Sequence, residues 1–145
     1  MAQLPVTIVE DITKVAGEAR HTGSTKAVLH EHDAAQTAIF RLSPGGVIQT
    51  HLHSRVFDLF VGVAGCLDIT YEGQQGSGVM HLRPNSFCSM PPGVRHEVRN
   101  NSPTDDGIFM LIHAPWEGYD FIPVEFRKAA VALGEKRDET ADGRG

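Results

Sequence analysis

The stretch GGVIQTHLHSRVFDLFVGVAG, residues 45–65, sets two histidines two positions apart and an aspartate five residues beyond the second, between glycines. Its Val, Ile, Thr and Phe content favours extended chain. In a strand, side chains at i and i+2 share a face, so Gln49, His51 and His53 project together; in a helix the two imidazoles would diverge. A metal ion needs convergent donors, and two neutral imidazoles on adjacent same-face positions supply half of a typical site. The remaining donors have to come from other strands.

Outward from this stretch, short apolar segments recur between turn-forming clusters: TKAVLHEH, QTAIFRL, GVIQTHLH, VFDLFVGV, CLDITYE, GVMHL, SFCSM, HEVR and GIFMLIHA. Such spacing reads as an all-β sandwich or barrel. Asp33-Ala34, Ser43-Pro44-Gly45-Gly46, Gly73 to Gly78, Arg83-Pro84-Asn85 and Pro91-Pro92-Gly93 supply the turns. Residues 1–24 form an N-terminal extension or edge strand, and residues 25–134 the barrel. After Pro123, VEFRKAAVAL carries Phe126, Ala130 and Leu133 at helical spacing with Gly134 to stop it, which predicts a short C-terminal α-helix. The last eleven residues, 135–145, hold almost no apolar surface and are expected to be a disordered tail.

The 145 residues, 41% of them hydrophobic and 21% charged, suit one globular domain. A net charge of −5 with scattered arginines argues against nucleic acid or an anionic membrane as partner. No run of apolar residues is long enough to cross a membrane and no signal core opens the chain, so the expected location is cytoplasmic. The two cysteines, Cys66 and Cys88, sit in apolar strand-like runs and are expected to be buried free thiols.

The wider spacing is more specific than the histidine pair. Residues 45–65 read G, five residues, H, one, H, four, D, six, G; residues 85–100 read N, five, P, one, G, two, H, three, N. Together these resemble the two motifs of the cupin superfamily, with 19 residues between them as in small bacterial cupins. The resemblance implies a double-stranded β-helix, the cupin jelly-roll barrel, with His51, His53 and His96 as metal ligands. Asp58 stands where the family usually has Glu, one methylene longer, and is the fourth candidate ligand or, unligated, a catalytic base. Asn85 replaces a motif glycine at a turn where Asn is the next-best residue for positive φ.

Three imidazoles and a carboxylate leave a divalent ion with about one net positive charge and roughly two open positions in an octahedral shell. One ion per chain is expected: iron(II) foremost, with manganese, nickel or zinc also compatible. Arg55, Phe60, Met90, His113 and Trp116, with Gln49, are the candidate substrate-binding residues around that ion, and Tyr119 joins Trp116 in a lid by resemblance. His113 shares a strand face with Phe109 and Leu111 and serves either the pocket or, as the favoured reading, the core. His30 and His32 also have same-face spacing, but no glycine frame or downstream carboxylate, and are read as surface groups. The resulting expectation is a homodimeric, metal-dependent enzyme acting on a small oxygenated molecule, foremost a dioxygenase-type oxidoreductase. The alternatives are a non-redox lyase or isomerase, or a barrel that binds a metal or small ligand without catalysis.

Overall fold

The computed structural model describes residues 3–127. Among these the chain forms a 3-10 turn at Ile12–Lys14 and ten strands: β1 (Glu18–Ala19), β2 (Thr22–His32), β3 (Ala35–Leu52), β4 (Phe57–Ala64), β5 (Leu67–Gly73), β6 (Gly76–Leu82), β7 (Phe87–Met90), β8 (Arg95–Arg99), β9 (Gly107–Ala114) and β10 (Ile122–Pro123). Every pairing is antiparallel. The order β6-β5-β8-β3-β9-β4-β7, with β2 and β10 also on β3, is the all-β jelly roll expected from the sequence. No helix among the described residues is long and apolar enough to cross a membrane.

The architecture turns on β3. Its first half pairs with β2 and β9, and its second half with β8 and β10. Ser43-Pro44-Gly45-Gly46, expected as a turn between two strands, instead bends one continuous strand. Gly45 takes φ +81°, a left-handed conformation that lets the strand change partners without ending. Phe40, Leu42, Phe60 and Phe109 from one side meet Ile48, Leu67, Ile69 and Val98 from the other in a single buried core.

The hairpin turns lie where expected. Asp33-Ala34 closes β2 onto β3, and Asn85 takes φ +70° between β6 and β7. At that corner Gly62 approaches the Arg83 backbone so closely that an added Cβ would fall well inside van der Waals contact with the Arg83 carbonyl. Gly62→Ala is therefore expected to destabilise the fold by about 1–3 kcal/mol, as overpacking does when backbone must move. The check is a lower urea midpoint at unchanged slope; an unaltered midpoint would show that the corner yields freely.

The C-terminus departs from expectation. Ile122 and Pro123 pair with Leu52 and His51 as an edge strand, and residues 124–127 are irregular. The rest of the expected helix, and the tail at 135–145, lie outside the described residues. Cys66 is also misplaced by the sequence reading: it is exposed at the corner between β4 and β5, while Cys88 is half-buried, and both thiols are free.

Candidate metal centre

The site is assembled by β3, β4, β8 and β9. A register shift separates Ile48↔Val98 from His51↔His96, so Ile48 and His51 both face inward although three positions apart. This bulge has one casualty: Gln49, expected beside the histidines, is exposed. His51 and His96 stand directly opposite each other, their rings 4.3 Å apart, and His53 follows just past the end of β3. Asp58 on β4 faces all of them, and His51, His53, Asp58 and His96 are each at most 4% exposed.

Backbone carbonyls orient the rings. His51 Nδ1–H donates to the Gln49 carbonyl at 2.7 Å, His96 Nδ1–H to Val94 at 2.9 Å, and His53 Nδ1–H to Asp120. A carbonyl only accepts, so each Nδ1 holds a hydrogen, and each ring directs its Nε2 toward the others, where it can serve as a ligand atom. Asp120 is fixed in turn by Ser54, whose backbone N–H donates to Oδ1 at 2.8 Å.

Asp58 Oδ2 lies 3.0 Å from His53 Nε2 and 3.1 Å from His96 Nε2. Ligand bonds of about 2.0–2.1 Å at right angles place neighbouring donors about 3 Å apart, so the spacing matches two adjacent edges of a coordination shell. The donor atoms of His51, His53, Asp58 and His96 all fall within 4.8 Å of one another. Such close approach to an anionic oxygen calls for a positive charge among these atoms, supplied by a proton on Nε2 or by a bound cation. The four residues thus fit a divalent cation, and the aspartate reaches the ring nitrogens despite its short side chain.

The electrostatics agree. Burial drives the His51 imidazole down to about 3, helped by the neighbouring His96, so that ring is a neutral donor. Burial also pushes His53 down, but hydrogen bonding and attraction to Asp58 outweigh it and leave His53 raised. For Asp58, burial works against ionisation, yet bonds from His113, His53 and His96 hold the carboxyl well below the usual carboxylate range. A carboxyl held in its ionised form can offer its oxygens to a cation.

His113 is buried like a core residue, at 2% exposure, and also reaches the site: its Nδ1–H donates to Asp58 Oδ1 at 2.6 Å. The favoured core reading is corrected to this extent. Burial lowers His113, which keeps it neutral and able to donate from Nδ1. Phe60 is buried and lines the cavity beside His96. Trp116 stacks on Tyr119 with ring centres 4.5 Å apart, and Tyr119 and Phe121 lie against His53 and His51. This segment is tethered by Trp116 N–H and Glu117 N–H donating to the Asp33 carbonyl at 3.0 and 2.9 Å. Met90 lines a different cavity, against β5 and β6. Arg55 is exposed, its guanidinium lying against Gly118. His30 and His32 are exposed, as expected of surface groups.

His51 and Asp58 line a cavity of about 360 Å³ together with Arg20, Lys26, Phe40, Leu111 and Tyr119 among others. Arg20 and Lys26 went unnoticed in the sequence, although Lys26 is an isolated cation in a strand whose register places it opposite Phe40. Lys26 Nζ sits 5.5 Å from the Phe40 ring centre and 5.7 Å from that of Trp116. Burial, together with the charge of Arg20, lowers Lys26 to about 8 against the opposing pull of Glu31 and Asp58.

The cupin-domain family model matches residues 38–113, more than half the chain. No curated protein matches the sequence. Among solved structures, a double-stranded β-helix protein from Klebsiella pneumoniae is similar, with TM-score 0.68 and 19% identity over 81% of this chain and 92% of that one. KdgF from Halomonas has TM-score 0.65 and 14% identity over 77% of this chain and 94% of its own. An oxalate oxidase in complex with the substrate analogue glycolate has TM-score 0.64 and 14% identity over 89% and 74%.

Proposed function

The chain belongs to the cupin-domain family, and on that premise we propose that it is a metal-dependent enzyme acting on a small oxygenated anion, of the dioxygenase type with iron(II) as its ion. One observation carries the reading. Two of the four clustered donor residues, His51 and Asp58, line a small cavity whose wall also holds the cations Lys26 and Arg20. Such a cavity favours a ligand that presents oxygen atoms to the ion and a carboxylate to the cations. When bound, an ion of this kind supplies Lewis acidity and a route for electron transfer between an oxygenated substrate and dioxygen.

The chain's own residues do the rest. Lys26 and Arg20 orient the anion. Burial raises the Tyr119 hydroxyl to about 12, so it stays protonated and offers a hydrogen bond. Phe40, Phe60 and Leu111 keep the cavity wall apolar. His113 holds Asp58 in the ligand position through Oδ1.

A second reading rests on Lys26, whose lowered pKa suits proton transfer near neutral pH and hence lyase or isomerase chemistry with a non-redox ion. Oxygen uptake separates the two. Protein prepared under nitrogen and loaded with iron(II) is expected to consume dioxygen with some member of a panel of diketones, hydroxy acids and hydroxylated aromatics. Turnover without oxygen uptake would leave the non-redox reading.

Lys26→Met is expected to raise KM for the anionic substrate roughly tenfold or more, the loss of a charge-assisted bond of about 1.5–3 kcal/mol. In the unaltered chain, Lys26 is a cation below about pH 8 and neutral above it, so KM should climb as pH rises through that value. A KM indifferent both to pH and to the substitution would remove Lys26 from substrate binding.

A further inference from the structure

The β5–β6 hairpin carries a second convergence of metal-binding side chains, none of which lines the barrel cavity. Asp68 and His81 are directly paired across the two strands, and His81 Nδ1 lies 2.7 Å from Asp68 Oδ1. The other carboxylate oxygen, Oδ2, accepts from Asn101 Nδ2 at 2.7 Å, so the group is held from both sides. Cys66 lies two residues before Asp68, its thiol free and exposed. One donor atom from each of Cys66, Asp68 and His81 falls within 4.8 Å of the other two. The neighbouring cross-strand pair, Leu67 and Leu82, is buried and anchors the hairpin. Arg99, opposite Asp68 on β8, directs its guanidinium to Glu97 at 2.9 Å.

We infer that Cys66, Asp68 and His81 form a second metal site, for a divalent ion of the zinc class. Thiolate, imidazole and carboxylate are the three ligand types zinc accepts, and three protein ligands leave a fourth tetrahedral position facing solvent. The sulfur disfavours magnesium, calcium and manganese, which prefer oxygen shells. As the ion binds, the thiol proton leaves to solvent. Asn101 acts on the ion only through Asp68, as outer partners of metal ligands do. The barrel donors are nitrogen and oxygen alone, so of the two sites only this one binds its ion through sulfur.

That difference supplies the test. Cobalt(II) added to the full chain is expected to produce the near-ultraviolet thiolate-to-cobalt charge-transfer band, which the barrel donors cannot give. The band should vanish in Cys66→Ser, persist in Cys88→Ser and bleach when zinc(II) displaces cobalt. His81→Gln should weaken cobalt binding roughly tenfold or more, at least the loss seen when a mere outer partner is removed. Zinc(II) should also protect Cys66 from alkylation, read by peptide mass spectrometry. Absence of the band, its survival in Cys66→Ser, or unaltered affinity in His81→Gln would overturn the site.

Discussion

In a His96→Ala chain, metal retention by the barrel is expected to fall by more than about a hundredfold, beyond the 10- to 100-fold that loss of an outer partner alone brings. His96 gives one of the two Nε2 atoms that approach Asp58 Oδ2, and it is the cross-strand partner of His51. Its removal leaves two imidazoles and a carboxylate, and opens a space in a site where the ring is only 1% exposed. Elemental analysis in a Cys66→Ser background would count the barrel ion alone. A full complement of metal in His96→Ala would break the link between these residues and coordination, and the proposed enzymology would go with it.

The second large effect is on stability. Phe109→Ala is expected to cost about 3–5 kcal/mol, the range for truncating a buried aromatic. Phe109 is wholly buried; its ring lies parallel to Phe40 at 5.1 Å and leans on Phe60 at 5.4 Å. Because domains of this size are stable by only about 5–15 kcal/mol, the loss takes a large part of the total. Urea unfolding of the metal-free protein should show it as a lower midpoint. The damage should also reach the metal centre, since Phe60 packs edge-on against His96. A midpoint within experimental scatter of the parent would mean that the core refills the cavity.

How much of this was legible depends on the range of the physics involved. The histidine spacing and the glycine frame are local, so residues 45–65 and 85–100 carry the resemblance that implies the jelly roll and name the cluster of His51, His53, Asp58 and His96 that could hold an ion. The bulge between Ile48 and His51 could not be read, because no residue type there marks an extra position; it turned Gln49 outward while keeping both histidines inward. Phe126, Ala130 and Leu133 fit a helical period, but residues 124–127 are irregular behind the short strand at Ile122–Pro123, and Ala130 and Leu133 lie outside the described residues. Lys26 and Arg20 escaped notice because what makes them interesting is a cavity shared with residues far along the chain. His113 is at once core and site, a combination that periodicity cannot express.

The bend at Gly45 also bears on how the chain acquires its shape. A strand that serves both walls makes neither wall an independent folding unit, since each lacks a central partner until the other has docked. Pairings such as Gln36 with His113 and His51 with His96 join distant parts of the chain, so closure is an entropically late event. A nascent or partly unfolded polypeptide therefore presents at most the local pair His51 and His53, and the full set of four donors assembles only when the final topology locks.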